Sequence, residues 1–445
     1  MRRLTAQVEH LAEQNREMAA MTVKVADTLP EPPTAVQLQH VQDAIRKTLL
    51  WTEWRLGEVR SRVVPRSSKL RRFRGREDFR RVRETHIALL RRREELLARQ
   101  RQILRQTGDV IAWKVLRRDP AIIAPLYTGH SHMLPEGIGL LGPVQLEMVA
   151  HNDGTLLILE NDLTRALGVG DFTIVRADGK WRRPLSVEVK SSGEPKVGAT
   201  VETRLTTVVT DEPGDAALFE ELRRALGLLD ADSTEAQPHT PQERRMLTKT
   251  QQAVRLAART VVRIQPPATK LREVLARLAS RAVSGGSAFE TPEEGVGYIA
   301  ASSEPLSTDS SRLNDLVRQL RSAGFGPECE YISSEDFQKL DWCAAFFSPI
   351  PLWPLDERLR RALLVGDLLI AVVYKPTVWR DAFAAAGLSL VERGGTWTIS
   401  RGERNVFVAG FDSRRLSLGL AFAGVSPRGV AQGVATALDS GNASP

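Results

Sequence analysis

Between residues 159 and 192 the chain gathers residues whose types and spacing suit phosphodiester chemistry. Asp171 opens an apolar run, Phe172-Thr173-Ile174-Val175, and Glu188-Val189-Lys190 closes another that begins at Leu185. Ala177-Asp178-Gly179-Lys180 lies between them and reads as a turn with an Asp-Gly signal. In an antiparallel pair joined by a turn, the start of one strand lies beside the end of the other. Asp171 is therefore expected to meet the Glu188/Lys190 pair, which share a face at i and i+2. Two carboxylates with phosphate oxygens and water suit a hard divalent cation. Such an ion polarises a phosphodiester and lowers the pKa of a bound water. A neighbouring ammonium can position that water and stabilise developing charge. Buried charges are costly unless they pair with one another or with a metal. The competing reading is thus an ion-pair network or an exposed, charged strand end. Asp178-Gly179-Lys180 and Glu194-Pro195-Lys196 also fit a (D/E)-x-K spacing, but one sits in the turn and the other beside a proline.

This Gly170-Asp171, hairpin and Glu188-Val189-Lys190 pattern resembles the PD-(D/E)xK superfamily of nucleases over about residues 140–260. Gly170 stands where that family usually shows proline. The resemblance implies an α/β restriction-endonuclease-like domain with a mixed sheet. It implies Mg²⁺ or Mn²⁺ held by Asp171, Glu188 and a further acid, either Glu160 or Glu147, with Lys190 orienting the attacking water. The implied activity is metal-dependent cleavage of DNA leaving a 5′-phosphate, of the kind found in bacterial phage-defence and restriction systems. The alternative is a catalytically inactive nuclease-fold scaffold, or a nucleic-acid-binding subunit of a larger complex.

The charge distribution bears on partners. The net charge of the 445 residues is +8, yet residues 41–120 hold 23 Lys and Arg against 10 Asp and Glu, a local +13. Everything else carries −5. An Arg-dominated segment of this kind is the footprint of a phosphate-binding surface, or else a solvated helix pair docked on acidic surface elsewhere in the chain. The candidate nucleic-acid contacts are Arg71, Arg72, Arg74, Arg76, Arg91, Arg92 and Arg93. Trp51 and Trp54, with Phe73 and Trp113, either stack on bases or belong to the core.

The elements follow from periodicity. Residues 1–118 read as an all-α basic arm with helices near 1–25, 35–63 (ended by Pro65) and 77–107. Leu4, Val8, Leu11, Asn15 and Met18 are spaced as a coiled-coil seam with Asn15 its polar register residue. That seam serves self-association or a protein partner, or packs the helix on its own domain. Leu89, Leu96 and Ile103 repeat every seven residues, as do Leu90, Leu97 and Leu104, giving the last helix a broad apolar stripe. Residues 119–266 form the nuclease-like domain, with strands at 155–159, 172–175, 185–189 and 201–209, and helices near 144–150, 215–229 and 241–264. Residues 267–445 read as an α+β domain with a sensing or partner-binding role, with a strand at 296–300 and a surface loop over the Ser-, Gly-, Glu- and Pro-rich stretch 284–308.

Several classes are set aside. No apolar run approaches the roughly 20 residues of a membrane span, and Met1 to Gln7 lead into no apolar leader segment. Two cysteines without a C-x-x-C pair fit a reducing, cytoplasmic setting. His130-Ser131-His132 lacks the further partners of a metal hydrolase, and Gly137-Ile138-Gly139-Leu140-Leu141-Gly142 follows no clear strand. Neither a G-x-x-x-x-G-K-[ST] loop nor a G-x-S-x-G elbow occurs.

Overall fold

In the computed structural model the described residues are 2–69, 77–127, 155–168, 171–178, 184–192, 202–207, 269–302, 317–375, 377–393, 396–402, 404–408 and 426–439. The chain divides into two compact units, Met1–Gln251 and Gln252–Pro445.

The first unit begins with three long helices, α1 (Arg2–Thr28), α2 (Ala35–Lys69) and α3 (Glu77–Val115). Thr34 starts α2 with a reciprocal cap. Its hydroxyl accepts from Gln37 N, and its own N–H donates to the Gln37 side chain. Acidic Glu77 and Asp78 open α3, and Lys114 lies in its last turn, each complementing the helix dipole. Helix α2 continues past Pro65 rather than ending there. Proline removes one intrahelical hydrogen bond, and a helix already packed upstream along Leu56, Val59 and Val63 can run on beyond that loss.

The coiled-coil-like spacing of α1 is satisfied within the chain. Leu11 is buried with Leu56, Val59, Val63, Leu90, Leu96 and Leu97, and Leu4, Val8 and Ala12 pack against them. Asn15 is buried and donates to the Leu96 carbonyl at 2.9 Å. That bond contributes about 1 kcal/mol, against about 2 kcal/mol for each buried leucine. Asn15 therefore sets register more than it adds stability. The heptad stripe of α3 is buried as its spacing predicts, from Leu90 to Leu104.

Residues 103–116, the end of α3 and the residue beyond it, are buried on every side. Thr107 meets Thr22 of α1 at 2.8 Å. Asp109 pairs with Arg165, and Arg105 donates to the Asp162 carbonyl. A single turn, α4 (Pro120–Ile123), follows α3.

The sheet of this unit comprises β1 (Leu156–Glu160), β2 (Phe172–Arg176), β3 (Leu185–Ser192) and β4 (Glu202–Thr207), in spatial order β1-β2-β3-β4. Every pairing is antiparallel. The mixed sheet expected from the family resemblance is thus not found among the described residues. Nine residues, 193–201, join β3 to β4. A parallel crossover needs a dozen or more. Helix α2 lies along the open edge of β1. The Gln42 carboxamide donates to Ile158 O at 2.9 Å and accepts from Glu160 N at 3.0 Å, which satisfies part of the unpaired strand edge. The three helices and this sheet lie in the same compact unit. The expected helices at 144–150, 215–229 and 241–264 lie outside the described residues, as do the His130 and Gly137 motifs.

The second unit is α+β. Helix α5 (Thr269–Gly285) precedes β5 (Ser287–Glu293) and β6 (Val296–Ser302), followed by β7 (Glu330–Ser333). Then come α6 (Ser334–Lys339), α7 (Asp341–Phe346), α8 (Glu357–Val365) and β8 (Leu368–Tyr374). The sheet order is β5-β6-β8-β7, all antiparallel, over a cluster of Ile299, Phe325, Ala371 and Val373. Helix α9 (Val378–Ala385), a meander of β9 (Ser389–Arg393), β10 (Thr396–Arg401) and β11 (Arg404–Val408), and helix α10 (Pro427–Asp439) complete it. The strand expected at 296–300 is present as β6, while the surface loop expected over 284–308 is corrected. Residues 287–302 form a β-hairpin that turns at Gly295, whose φ of 78° suits glycine. Its Glu, Gly and Ser content hides the buried Ala288 and Tyr298. Among the described residues no helix is long and apolar enough to cross a membrane.

Candidate functional site

The head of the β2–β3 hairpin is held by backbone hydrogen bonds. Phe172 pairs with Glu160 of β1 and with Val187 of β3. One step further out, Asn161 N donates to Asp171 O and Asp171 N donates to Val187 O, each at 2.9 Å. Asp171 thus stands between Asn161 and Val187. Position 188 lies opposite Thr206, and position 190 opposite Arg204.

Strand alternation sorts these positions by face. Glu160 shares a face with Phe172, Ile174, Leu185 and Val187, the apolar set. Positions 173 and 186 belong to the other face, as do 188 and 190 by alternation along β3. There the buried Thr173 hydroxyl donates to the Asn161 side-chain oxygen at 2.8 Å. Asp171 is half-buried. The backbone bonds Asp171 to Val187, the residue before Glu188, with Lys190 two residues further along β3.

Glu160 is not brought to them. It is 4% exposed, and its carboxylate accepts both Nε and a terminal nitrogen of Arg46, which also bonds Asp43. Its charge is matched within an ion pair between α2 and β1. Glu160 thus meets Arg46 rather than Asp171, with its strand parity pairing it to Phe172. Glu147, the other candidate, lies outside the described residues. Among the described residues no group of three or more His, Cys, Asp and Glu is gathered as a metal would require.

The basic candidates divide. Arg71, Arg72, Arg74 and Arg76 lie outside the described residues. Arg93 is 6% exposed, faces Glu58 and the Gln7 side chain, and has its pKa pushed down by burial, so it is not open to a phosphate. Arg92 is exposed and pairs with Glu95 one turn away. Arg91 is exposed. Further surface arginines are matched along or between helices, including Arg60 with Glu94, Arg80 with Glu84 and Arg101 with Glu53. These partners are among the ten acids of residues 41–120, so the segment keeps its net +13; each exposed pair is worth under about 1 kcal/mol and open to exchange with phosphate.

Trp113 is core, but Trp51 and Trp54 are 41% and 66% exposed. Sequence reasoning missed Gln42 and Arg46, the two α2 side chains that fix the end of β1. Neither stands near the hairpin in sequence, and no local pattern marks them.

No protein-family model, curated protein or solved structure matches the chain.

Proposed function

We propose that the β2–β3 hairpin head is a divalent-metal phosphodiesterase site acting on DNA, with Asp171 and Glu188 as metal ligands. The observation that supports this reading is the Asp171 N to Val187 O hydrogen bond, which sets Asp171 beside the residue that precedes Glu188. Two oxygen donors fit Mg²⁺ or Mn²⁺ in donor type. When bound, the ion supplies charge neutralisation and a water of lowered pKa. Lys190, on the same face, orients the attacking water through its ammonium donors. Position 190 is directly opposite Arg204. Two cations facing each other across a ladder are destabilising unless an anion joins them. A phosphate diester is such an anion. The water oxygen bonds phosphorus, the P–O3′ bond breaks, and the 3′-oxygen takes a proton, leaving a 5′-phosphate. The second unit then serves as a sensor or partner-binding part that licenses cleavage in a defence setting.

The test is cleavage of supercoiled plasmid, single-stranded DNA and RNA in Mg²⁺, Mn²⁺ or EDTA, beside a Glu188→Ala/Lys190→Ala variant. Metal-dependent cutting that disappears in the variant supports the reading. Cutting that survives in the variant sinks it. A second reading, an inactive nuclease-fold scaffold that binds DNA, is favoured by the capture of Glu160 by Arg46. It expects DNA binding without cleavage in both proteins.

A further inference from the structure

We infer that Trp51 and Trp54 of α2 form a stacking platform for single-stranded DNA. The core-facing residues of α2 include Leu49, Thr52, Leu56 and Val59. Trp51 and Trp54 each fall two residues beyond one of these, about 200° round the helix at 100° per residue. Both indoles therefore stand on the outer face, 41% and 66% exposed. They are one turn apart, with an axial rise of about 4.5 Å. The Arg55 guanidinium lies 4.3 Å from the Trp51 ring centroid. Lys47, one turn before Trp51, is exposed. One turn beyond Trp54, Gly57 is exposed, with no heavy atom of the protein within 4 Å of where a Cβ would be.

The occupant follows from size and charge. A stable protein interface buries about 800 Å² per partner around an apolar centre. The next large exposed apolar residue described on α2 is Val36, 15 residues before Trp51. That is about 22 Å along the axis. Two rings with cations make too small an apolar patch for a protein, but they match a nucleic acid. Each ring accepts the face of one unpaired base, and Lys47 and Arg55 neutralise phosphates. Duplex bases hide their faces in the stack, so the strand must be single. Between Lys47 and Gly57 the hydroxyls are already engaged. Thr48 donates to Ala44 O, and the buried Thr52 donates to Thr48 O. Neither threonine hydroxyl has a proton left for a 2′-hydroxyl, and the platform offers rings for base faces and cations for phosphates, both of which DNA supplies.

This platform stands whether or not the hairpin cleaves, so its test excludes catalysis. Fluorescence anisotropy in EDTA would compare labelled dT20, rU20 and a duplex hairpin, using the full chain. The variants are Trp51→Ala/Trp54→Ala and Trp51→Phe/Trp54→Phe, each checked for wild-type far-UV circular dichroism. The Ala pair should weaken dT20 binding by at least about fivefold per ring lost, from the energy of base–aromatic stacking. The Phe pair should retain most of the binding, and duplex affinity should change little. Unchanged dT20 binding in the Ala pair would overturn the inference, as would tighter binding of rU20 than of dT20. A wild-type dimer in sedimentation that becomes monomeric in the Ala pair would also overturn it, assigning the face to a second copy.

Discussion

Asp109 on α3 and Arg165 beyond β1 offer the sharpest energetic test of the first unit. The Asp109 side chain has no solvent exposure and that of Arg165 has 5%. Asp109 Oδ1 accepts Arg165 N at 2.7 Å and Ala166 N at 3.2 Å, while Oδ2 accepts Arg165 Nε at 2.8 Å. Asp109→Asn keeps an oxygen for the two backbone donors but strands the guanidinium without its counter-charge. Breaking a buried pair from one side costs about 3–5 kcal/mol. Arg165→Met should cost a similar amount, because it strands the carboxylate. The double variant Asp109→Asn/Arg165→Met removes both charges and keeps the backbone acceptor. It should cost clearly less than the sum of the singles, with a coupling of about 3 kcal/mol at the upper end for residues in contact. The assay is urea unfolding followed by far-UV circular dichroism, reading midpoint and slope. Single-variant losses below about 1 kcal/mol, the range of exposed pairs, would refute the argument. So would simple additivity.

Other substitutions test individual contacts. Gly108 on α3 packs against the Leu163 carbonyl, where a Cβ would clash with backbone. Gly108→Ala should therefore destabilise by about 1–3 kcal/mol despite alanine's better helix propensity. Gly57→Ala, with open space around it, should stabilise by about 0.5–1 kcal/mol. Equal effects at the two glycines in thermal melts would refute the packing argument. In the second unit, Glu290 on β5 accepts from Arg277 and Arg281 of α5, and the Arg277 hydrogen bond is the main cause holding its pKa below the ordinary 4.5. A depressed carboxylate contributes stability above its unfolded pKa and loses it as pH falls through the folded one. Glu290→Gln should thus lower stability modestly at pH 7, and its difference from wild type should vanish in strong acid. A gap that persists or widens in acid would contradict that assignment.

The hairpin was legible because its signals are local: alternation in β2 and β3, an Asp-Gly turn, and a fixed count from Asp171 to Glu188. The face of Glu160 was not. The described residues that follow it, Asn161 to Gly168, are not a strand, so no period-2 count passes through them, and its partner Arg46 is 114 residues away. Trp51 and Trp54 were ambiguous because Leu49, Leu50 and Leu56 put apolar residues on more than one side of α2, and only packing against α3 chooses the inner one. The basic excess of residues 41–120 was plain in composition. Its pairing with Glu53, Glu58, Glu84, Glu94 and Glu95 depends on rotamers and on helix–helix register, which composition does not carry.

The most direct measurement sets Asp171→Asn against Glu160→Gln in metal-dependent cleavage of DNA, with both proteins confirmed as folded. The account predicts that Asp171→Asn loses at least ~100-fold in turnover, as removal of a group stabilising transition-state charge does. Glu160→Gln should keep turnover within a few fold and lose stability instead, through the stranded Arg46. Loss of cleavage in Glu160→Gln with activity retained in Asp171→Asn would contradict the account and move the chemistry to the opposite face of the sheet.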